Sequence, residues 1–494
     1  MVRRRRVEQT EESYFGSESE GEASEASSVT SMSSEEAEEK GTERPMQSIE
    51  GWLVGGVGVC AMWHDEQFGT LFVGLVVSVM VFGADIGQLY ELVFPPVVAK
   101  TVGQDVGANM VLGISPLLKL YSGWPVVFAK MLLVVGVDGR AVMLDALYGW
   151  IGSILRDICR ESLTDAEYGL FSTLVVNLIV KQGRTVVGEY TRLVVLLPLY
   201  SAIASLGYLR KLNELTCILG PHKRPANSDA LKRRYTWKIM GTFVATLGVL
   251  AHVHLGGMAG MLGLVEYALG DRTHQWVLGA WGGFLAICAP LVMGKSGGWK
   301  LDQRRKVWHF CVVLMFLPAG AIDAPFTGLA FGVALTLFLA SEVVRACAIP
   351  PWGARLHAAL LPYTDRRDVC GPVIVSHIFL LLGIALPIML VGSPAGILCL
   401  GLGDAAASLF GRRYGRHKWP GGSRKSIEGS AAFVVSVVVG LLASRLLGYP
   451  DMPSFLRMTL TAALTAALEA TSAMNDNVIV PLFMLVVLHS CSSV

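Results

Sequence analysis

From Trp52 onward the chain is written in repeated apolar runs separated by short polar connections. Runs of about 16–25 apolar residues suit membrane-spanning helices better than the helices of a water-soluble core. The pattern predicts an all-α, polytopic membrane protein with roughly thirteen to fifteen spans. In the second half the spans are expected near 239–265, 275–293, 307–321, 326–346, 373–392, 395–411, 430–447 and 455–473. Two more are expected near 69–137, where Lys100, Asp105, Lys119 and Lys130 interrupt the apolar sequence. Residues 1–50 carry no apolar periodicity and are rich in Ser and Glu, a composition that cannot bury enough surface to fold. They are expected to form a disordered tail, followed by an N-terminal transmembrane region (51–300) and a C-terminal one (301–494).

Composition agrees, with 53% hydrophobic residues, 16% charged residues and a mean hydropathy of +0.52. Nine cysteines lie singly, without a CxxC pair, so neither a disulfide framework nor a zinc site is indicated. No apolar stretch follows Arg3 to Arg6, which excludes a cleavable signal peptide. That arginine run suits an endoplasmic-reticulum retention signal; a solvated tail phosphorylated on Ser beside Glu fits equally. The tail holds 13 Glu against 6 Lys or Arg, so a chain of net +2 carries +9 on its membrane part.

The distribution of that charge predicts topology. Basic loops occur at 210–238, 294–306 and 412–429, each separated from the next by an even number of expected spans. The positive-inside rule then puts all three in the cytosol. Ionisable residues gather at the same ends of the spans: His309, Glu342, Arg345, His377, Asp404 and Glu469, with Asp476 and Asn477 just beyond. Such groups in a membrane point to function by default. Helix-end snorkelling or a structural pair also fits His309 and Arg345.

The densest chemistry lies in 401–429, GLGDAAASLFGRRYGRHKWPGGSRKSIEG. Asp404 is a carboxylate within small and apolar residues. Gly403, Ala407, Gly411 and Gly415 recur every four positions, giving the helix one small face for close packing. Ser408 is one turn from Asp404. A basic, glycine-bearing loop follows: Arg412, Arg413, Tyr414, Gly415, Arg416, His417, Lys418, then the turn Trp419, Pro420, Gly421, Gly422, then Ser423, Arg424, Lys425, Ser426, Ile427 and Glu428. Cations and backbone N–H groups ahead of a helix suit a polyphosphate and its metal ion. The loop departs from the Walker pattern, so no P-loop is expected. An interfacial patch for anionic lipid is the competing reading.

This stretch resembles the signature of dolichol kinases, the CTP-dependent polyprenol kinases. Arg305–His309 resembles the family's RK-x-aromatic-H element and Glu342–Arg345 its E-x-V-R. Asp365 to Asp368 with Gly371-Pro372 resembles D-x-R-D…GP, and Ser376–Gly383 matches the span that follows. Glu469 with Asp476, Asn477 and Pro481 resembles the family's end. The similarity runs in order over about 304–490, with the loop after Gly421 one residue longer than usual.

The resemblance implies phosphate transfer from CTP to dolichol with a divalent metal, Mg²⁺ or Ca²⁺, in the endoplasmic-reticulum membrane, with the loop facing the cytosol. It implies membrane, lipid and nucleotide partners and no nucleic acid. Residues 412–428 would bind the nucleotide, with Lys418, Arg424 and Lys425 on its phosphates. Asp404 and Glu428 would hold metal, or Asp404 would act as base, with Asp476 and Glu469 as further candidates for either role. His309, Glu342, Arg345, Asp365, Asp368, His377 and Asn477 complete the candidate set. Kinases of phytol, farnesol or geranylgeraniol, a cytidylyltransferase, and a non-enzymatic transporter or scaffold are the alternatives.

Overall fold

The computed structural model describes residues 44–80, 86–119, 141–158, 163–180, 183, 185–213, 215, 228–295, 301–346, 348–349, 351–361, 374, 376–420, 423–450, 452–472 and 475–490. The tail before Arg44 and the candidates Asp365, Asp368, Gly421 and Gly422 lie outside these residues. Regular structure among the described residues is helical, apart from one isolated β-bridge between Lys418 and Ser426.

The N-terminal part holds α1 (Arg44–Met62), α2 (Phe68–Met80), α3 (Ile86–Thr101), α4 (Val106–Lys119), α5 (Ala141–Ile158), α6 (Asp165–Val180), α7 (Val186–Ala204) and α8 (Leu206–Asn213). Next come α9 (Ser228–His254), α10 (Met258–Gly270), α11 (Arg272–Lys295), α12 (Leu301–Ile322), α13 (Ala324–Ala346), α14 (Gly353–Leu360) and α15 (Ser376–Val391). The next rod runs through α16 (Ala395–Leu398), a π-helical turn (Cys399–Asp404) and α17 (Ala405–Tyr414). The chain closes with α18 (Ile427–Leu446), α19 (Phe455–Thr471) and α20 (Asp476–Ser490). Among the described residues seven helices are long and apolar enough to cross a membrane: α7, α9, α11, α12, α13, the α16–α17 rod and α18. Five shorter apolar helices accompany them.

Three features depart from the sequence expectations. Helix α1 begins at Arg44, inside the stretch read as tail, with Pro45 in its first turn where a missing N–H costs nothing. The region 68–119 holds three helices, because the polar residues near Gly103–Asp105 end one helix and cap the next: Asp105 accepts from the Ala108 N–H at 3.0 Å. The span read as 239–265 is broken between α9 and α10. Gly256 and Gly257 have φ of +75° and +85°, a conformation that ends a helix and that glycine adopts without strain.

Helix α20 is the axis of the C-terminal part. Every residue from Val478 to Leu488 is buried, as an all-round apolar sequence requires. One core gathers Val313, Phe331, Leu398, Phe433, Met458 and Met484 around it. A second joins the N-terminal helices to the same axis through Val54, Tyr90 and Phe94 against Phe379, Leu468 and Phe483. Helices α9 to α11 stand outward, with Val244, Val253, Leu262, Trp276 and Ile287 exposed, as lipid-facing spans do.

The rod packs against α18 at its smallest residues. A Cβ added at Gly403 would lie 2.6 Å from Cε2 of the fully buried Phe433 ring. The face continued by Ala407 and Gly411 lies against Ser426 and Gly429. Gly403→Val is expected to lower stability by about 1–3 kcal/mol through overpacking, read as a lower melting temperature in detergent. Unchanged melting would contradict this packing.

Candidate functional site

The π-helical turn Cys399–Asp404 lies midway along the rod and ends on Asp404. Such turns insert a residue into an α-helix and re-aim the side chains that follow. Gly401 lets α12 approach, since a Cβ there would collide with Val313. That approach brings Lys306 and His309, one turn apart on α12, onto Asp404. The Lys306 ammonium donates to Asp404 Oδ2. His309 Nδ1 is 3.4 Å from the same oxygen and 3.0 Å from the Leu400 carbonyl within the π turn. A carbonyl only accepts, so His309 carries a proton on Nδ1. Its Nε2 is buried with no hydrogen-bond partner among the described residues, and the residue is 1% exposed.

Beyond α17 the basic loop folds into a tight return. Trp419 N–H donates to Lys425 O at 3.2 Å and Ile427 N–H to His417 O at 2.9 Å, flanking the Lys418–Ser426 bridge. The Ser426 hydroxyl caps α18 by accepting from Gly429 N–H at 3.2 Å. Trp419 Nε1 donates to Ser430 at 2.9 Å, and the Lys418 ammonium to Arg424 O at 2.8 Å. Glu428 receives the His417 ring at 2.7 Å and the His417 N–H at 3.1 Å.

The tip of this return docks on the end of α19. Lys425 Nζ donates at 2.5 Å to both the carbonyl and Oε1 of Glu469, and Asp476 Oδ2 lies 3.5 Å away. The Ser423 hydroxyl donates to Ala470 O at 3.3 Å. Partial burial alone would lower the Lys425 ammonium, but Glu469 and Asp476, with Asp404 further off, outweigh it and hold it well above the ordinary lysine range. A lysine raised in this way loses the stabilisation only as pH climbs past the unfolded value, so the Lys425 ammonium is charged throughout the physiological range. The Lys425 side chain is 36% exposed, leaving the ammonium open from one side.

Two lysines and three carboxylates therefore form one electrostatically linked group, made by α12, the rod, the loop, α19 and α20. With all of them ionised, one negative charge is left over. Asp404, Glu469, Asp476 and Lys425 were readable as candidates from the sequence. Lys306 was not, although its spacing of three from His309 puts both on one helical face. Glu428 engages His417 and not Asp404. Among the described residues no group of three or more His, Cys, Asp or Glu is close enough to hold a metal ion.

Other candidates lie apart from this group. Arg412, Arg413, Tyr414, Arg416 and His417 are exposed, with the Arg413 guanidinium 5.6 Å from the Tyr414 ring centre. Glu342 and Arg345 form their own buried fork at 2.8 and 2.5 Å, in which Glu342 also accepts from the Ile374 N–H at 2.6 Å. His377 sits in the first turn of α15, and Asn477 is buried in that of α20, its N–H donating to Asn475 Oδ1 at 3.1 Å.

The arrangement defines a polytopic helical membrane protein with a lysine–carboxylate group beside a basic loop, a class suited to anionic, phosphate-bearing ligands. Within that class its relatives are dolichol kinases. The chain is 35% identical over 240 residues to the dolichol kinase of Saccharomyces cerevisiae, which covers 47% of this chain and 46% of the yeast one. It is 42% identical over 192 residues to dolichol kinase EVAN of Arabidopsis thaliana (36% and 33%), and 32% identical over 258 residues to human dolichol kinase (46% and 47%). The resemblance carried by the motifs is thus met in these alignments, which cover 36–47% of the chain. The chain spans about half or less of the length of these curated relatives. No protein-family model matches it. No solved structure matches it.

Removing Lys306 tests the geometry without reference to any reaction. Lys306→Met leaves the buried Asp404 carboxylate without its ammonium, with only His309 Nδ1 at 3.4 Å beside it, and is expected to cost about 3–5 kcal/mol. Adding Asp404→Asn to it should recover much of that loss, which thermal unfolding of the two variants in detergent would reveal. Additive losses would mean that the pair is not coupled.

Proposed function

We propose that this chain is a dolichol kinase, transferring the γ-phosphate of CTP to dolichol and releasing CDP. Its product, dolichyl phosphate, would serve protein glycosylation. The observation that carries the reading is the lysine–carboxylate group under a partly open basic loop, in a chain similar to dolichol kinases over nearly half its length. Transfer of a phosphoryl group asks a protein mainly for positioning and for neutralisation of charge. The acceptor alcohol is lipid-borne and the nucleotide aqueous, so the reaction belongs at a membrane interface. The basic loops support a cytosolic orientation of this end, in the endoplasmic-reticulum membrane.

In this reading Lys425, Lys418 and Arg424 take the nucleotide phosphates, and the Trp419–Lys425 and Ile427–His417 hydrogen bonds keep the loop in shape to receive them. When phosphate binds, the Lys425 ammonium turns from Glu469 toward it, freeing carboxylate oxygens. Asp404, Glu469 and Asp476 carry the hard oxygen donors that a divalent Mg²⁺ or Ca²⁺ takes, although as they stand the three are not gathered closely enough to hold one together. Asp404 would hold it, with Glu469 or Asp476 beside it; Glu428, tied to His417, fits loop closure better. The ion would neutralise charge on the phosphates. A carboxylate not used in this way, Asp404 or Asp476, takes the proton of the attacking hydroxyl as its oxygen bonds to the γ-phosphorus and the bond to the CDP oxygen breaks.

The test is phosphate transfer from γ-labelled CTP in microsomes containing the chain, with dolichol, phytol and farnesol offered in parallel. Label is expected in dolichol and should fall by about 100-fold or more in Asp404→Asn. Label confined to the short alcohols would make it a kinase of those lipids. No label in any lipid, with intact protein, would overturn the enzymatic reading.

A further inference from the structure

At the end of the bundle where α13 closes, three separate stretches of chain meet on one small core. Leu209 and Leu212 of α8, Ile239 of α9 and Ile349 of the α13–α14 link are buried together, with Tyr208 and Tyr235 packed beside them. The link is held there by the turn that ends α13. Ala348 N–H donates to Arg345 O at 3.0 Å and Ile349 N–H to Val344 O at 2.9 Å. Ala348 has a φ of +50°, a conformation that glycine usually supplies at such a turn. The turn sets where Trp352 and α14 leave the bundle.

The outer surface of this junction is cationic and aromatic. In α9, Arg233, Trp237, Met240 and Val244 follow one another at helical spacing, so they share one face, and all four are exposed. Lys238 lies on the flank toward α8, its ammonium 5.3 Å from the centre of the Tyr208 ring and 5.9 Å from that of Tyr235. Arg234, one turn earlier, shares this flank. Lys232 is answered by Asp229 at 3.7 Å, whereas among the described residues Arg233, Arg234 and Lys238 meet no carboxylate. Arg210 and Lys211 of α8 are exposed around the same core, as is Arg355 of α14, 5.5 Å from the centre of the Trp352 ring.

Cations, then an indole, then apolar side chains along one helix face follow the order of a bilayer from headgroup to hydrocarbon. A soluble phosphate or an acidic peptide would meet the cations and leave Met240 and Val244 unmatched; a phospholipid meets both. The excess of positive charge selects an anionic one. We propose that the face formed by α8, the start of α9 and the α13–α14 link binds an anionic phospholipid. Its headgroup phosphate lies on Arg233, Arg234 and Lys238, and its acyl chains run along Trp237, Met240 and Val244. None of these residues belongs to the lysine–carboxylate group, so the inference does not rest on the kinase reading.

The experiment reconstitutes the full-length protein in phosphatidylcholine vesicles holding a trace of photoactivatable phosphatidylserine, or of phosphatidylcholine with the same diazirine-bearing acyl chain. Light-driven labelling is mapped by mass spectrometry over Trp237–Val244 and over α10, which exposes Leu262 and Val265 and carries no Lys or Arg. The ratio of phosphatidylserine to phosphatidylcholine labelling is expected to be about three-fold or more higher on α9 than on α10, and to fall as salt rises. Combining Arg233→Gln, Arg234→Gln and Lys238→Gln should bring the two ratios together. Phosphatidylcholine labelling of both helices, retained in the variant, marks a folded and inserted chain. Equal ratios on α9 and α10 in the unaltered protein would overturn the proposal, as would a high ratio that survives in the triple variant. Loss of the preference on adding millimolar inorganic phosphate, but not chloride of equal ionic strength, would make this a site for soluble phosphate and overturn it too.

Discussion

Asp404 is a carboxylate carried into an apolar bundle by a helix that is otherwise built of small and hydrophobic residues, and the rest of the site is arranged around answering its charge. Lys306 and His309 reach it from α12, which can come close only because Gly401 has no side chain to meet Val313. The opposite side of the rod must be equally small, because Phe433 of α18 fills the space beside Gly403. Packing and electrostatics are therefore one constraint here. A larger residue on either face would push away the helix that supplies a cation or the one that anchors the loop.

The second ion group follows from the first through the loop. The hydrogen bonds about the Lys418–Ser426 bridge bring the chain back from α17 to α18, and Ser426 then starts the helix that packs on the rod. Lys425, one residue earlier, is thereby aimed at the end of α19, where a carbonyl and two carboxylates meet it. An ammonium held mainly by carboxylates, yet still partly exposed, is in a position to exchange those partners for phosphate. In the proposed function that exchange would be the step by which a resting structure of internal ion pairs becomes a ligand-binding one.

Much of this was legible in the sequence, for physical reasons that differ from residue to residue. Asp404 stands out because an acid within small and apolar residues has few bland explanations, and Lys425 because it ends a glycine-rich basic loop just ahead of a helix. Lys306 entered only as part of the Arg305–His309 element and not as a site residue, because its partner lies 98 residues away. The π turn was hidden, since its residues read as an ordinary apolar helix. The break at Gly256 and Gly257 was missed because hydropathy continues across it, while the backbone does not. Glu50 was assigned by its neighbours to the tail, and only the fold shows it enclosed against Tyr90.

The central claim is that the basic loop and the two ion groups form one site for the phosphates of a nucleotide. Equilibrium binding of CTP with Mg²⁺ to the purified chain in detergent, for the unaltered protein and Lys425→Met, tests it most directly. The account predicts measurable binding that weakens by about ten-fold or more in the variant, the scale of one lost charge-assisted contact, in protein that is still folded at the assay temperature. Equal affinity in the two proteins would contradict it.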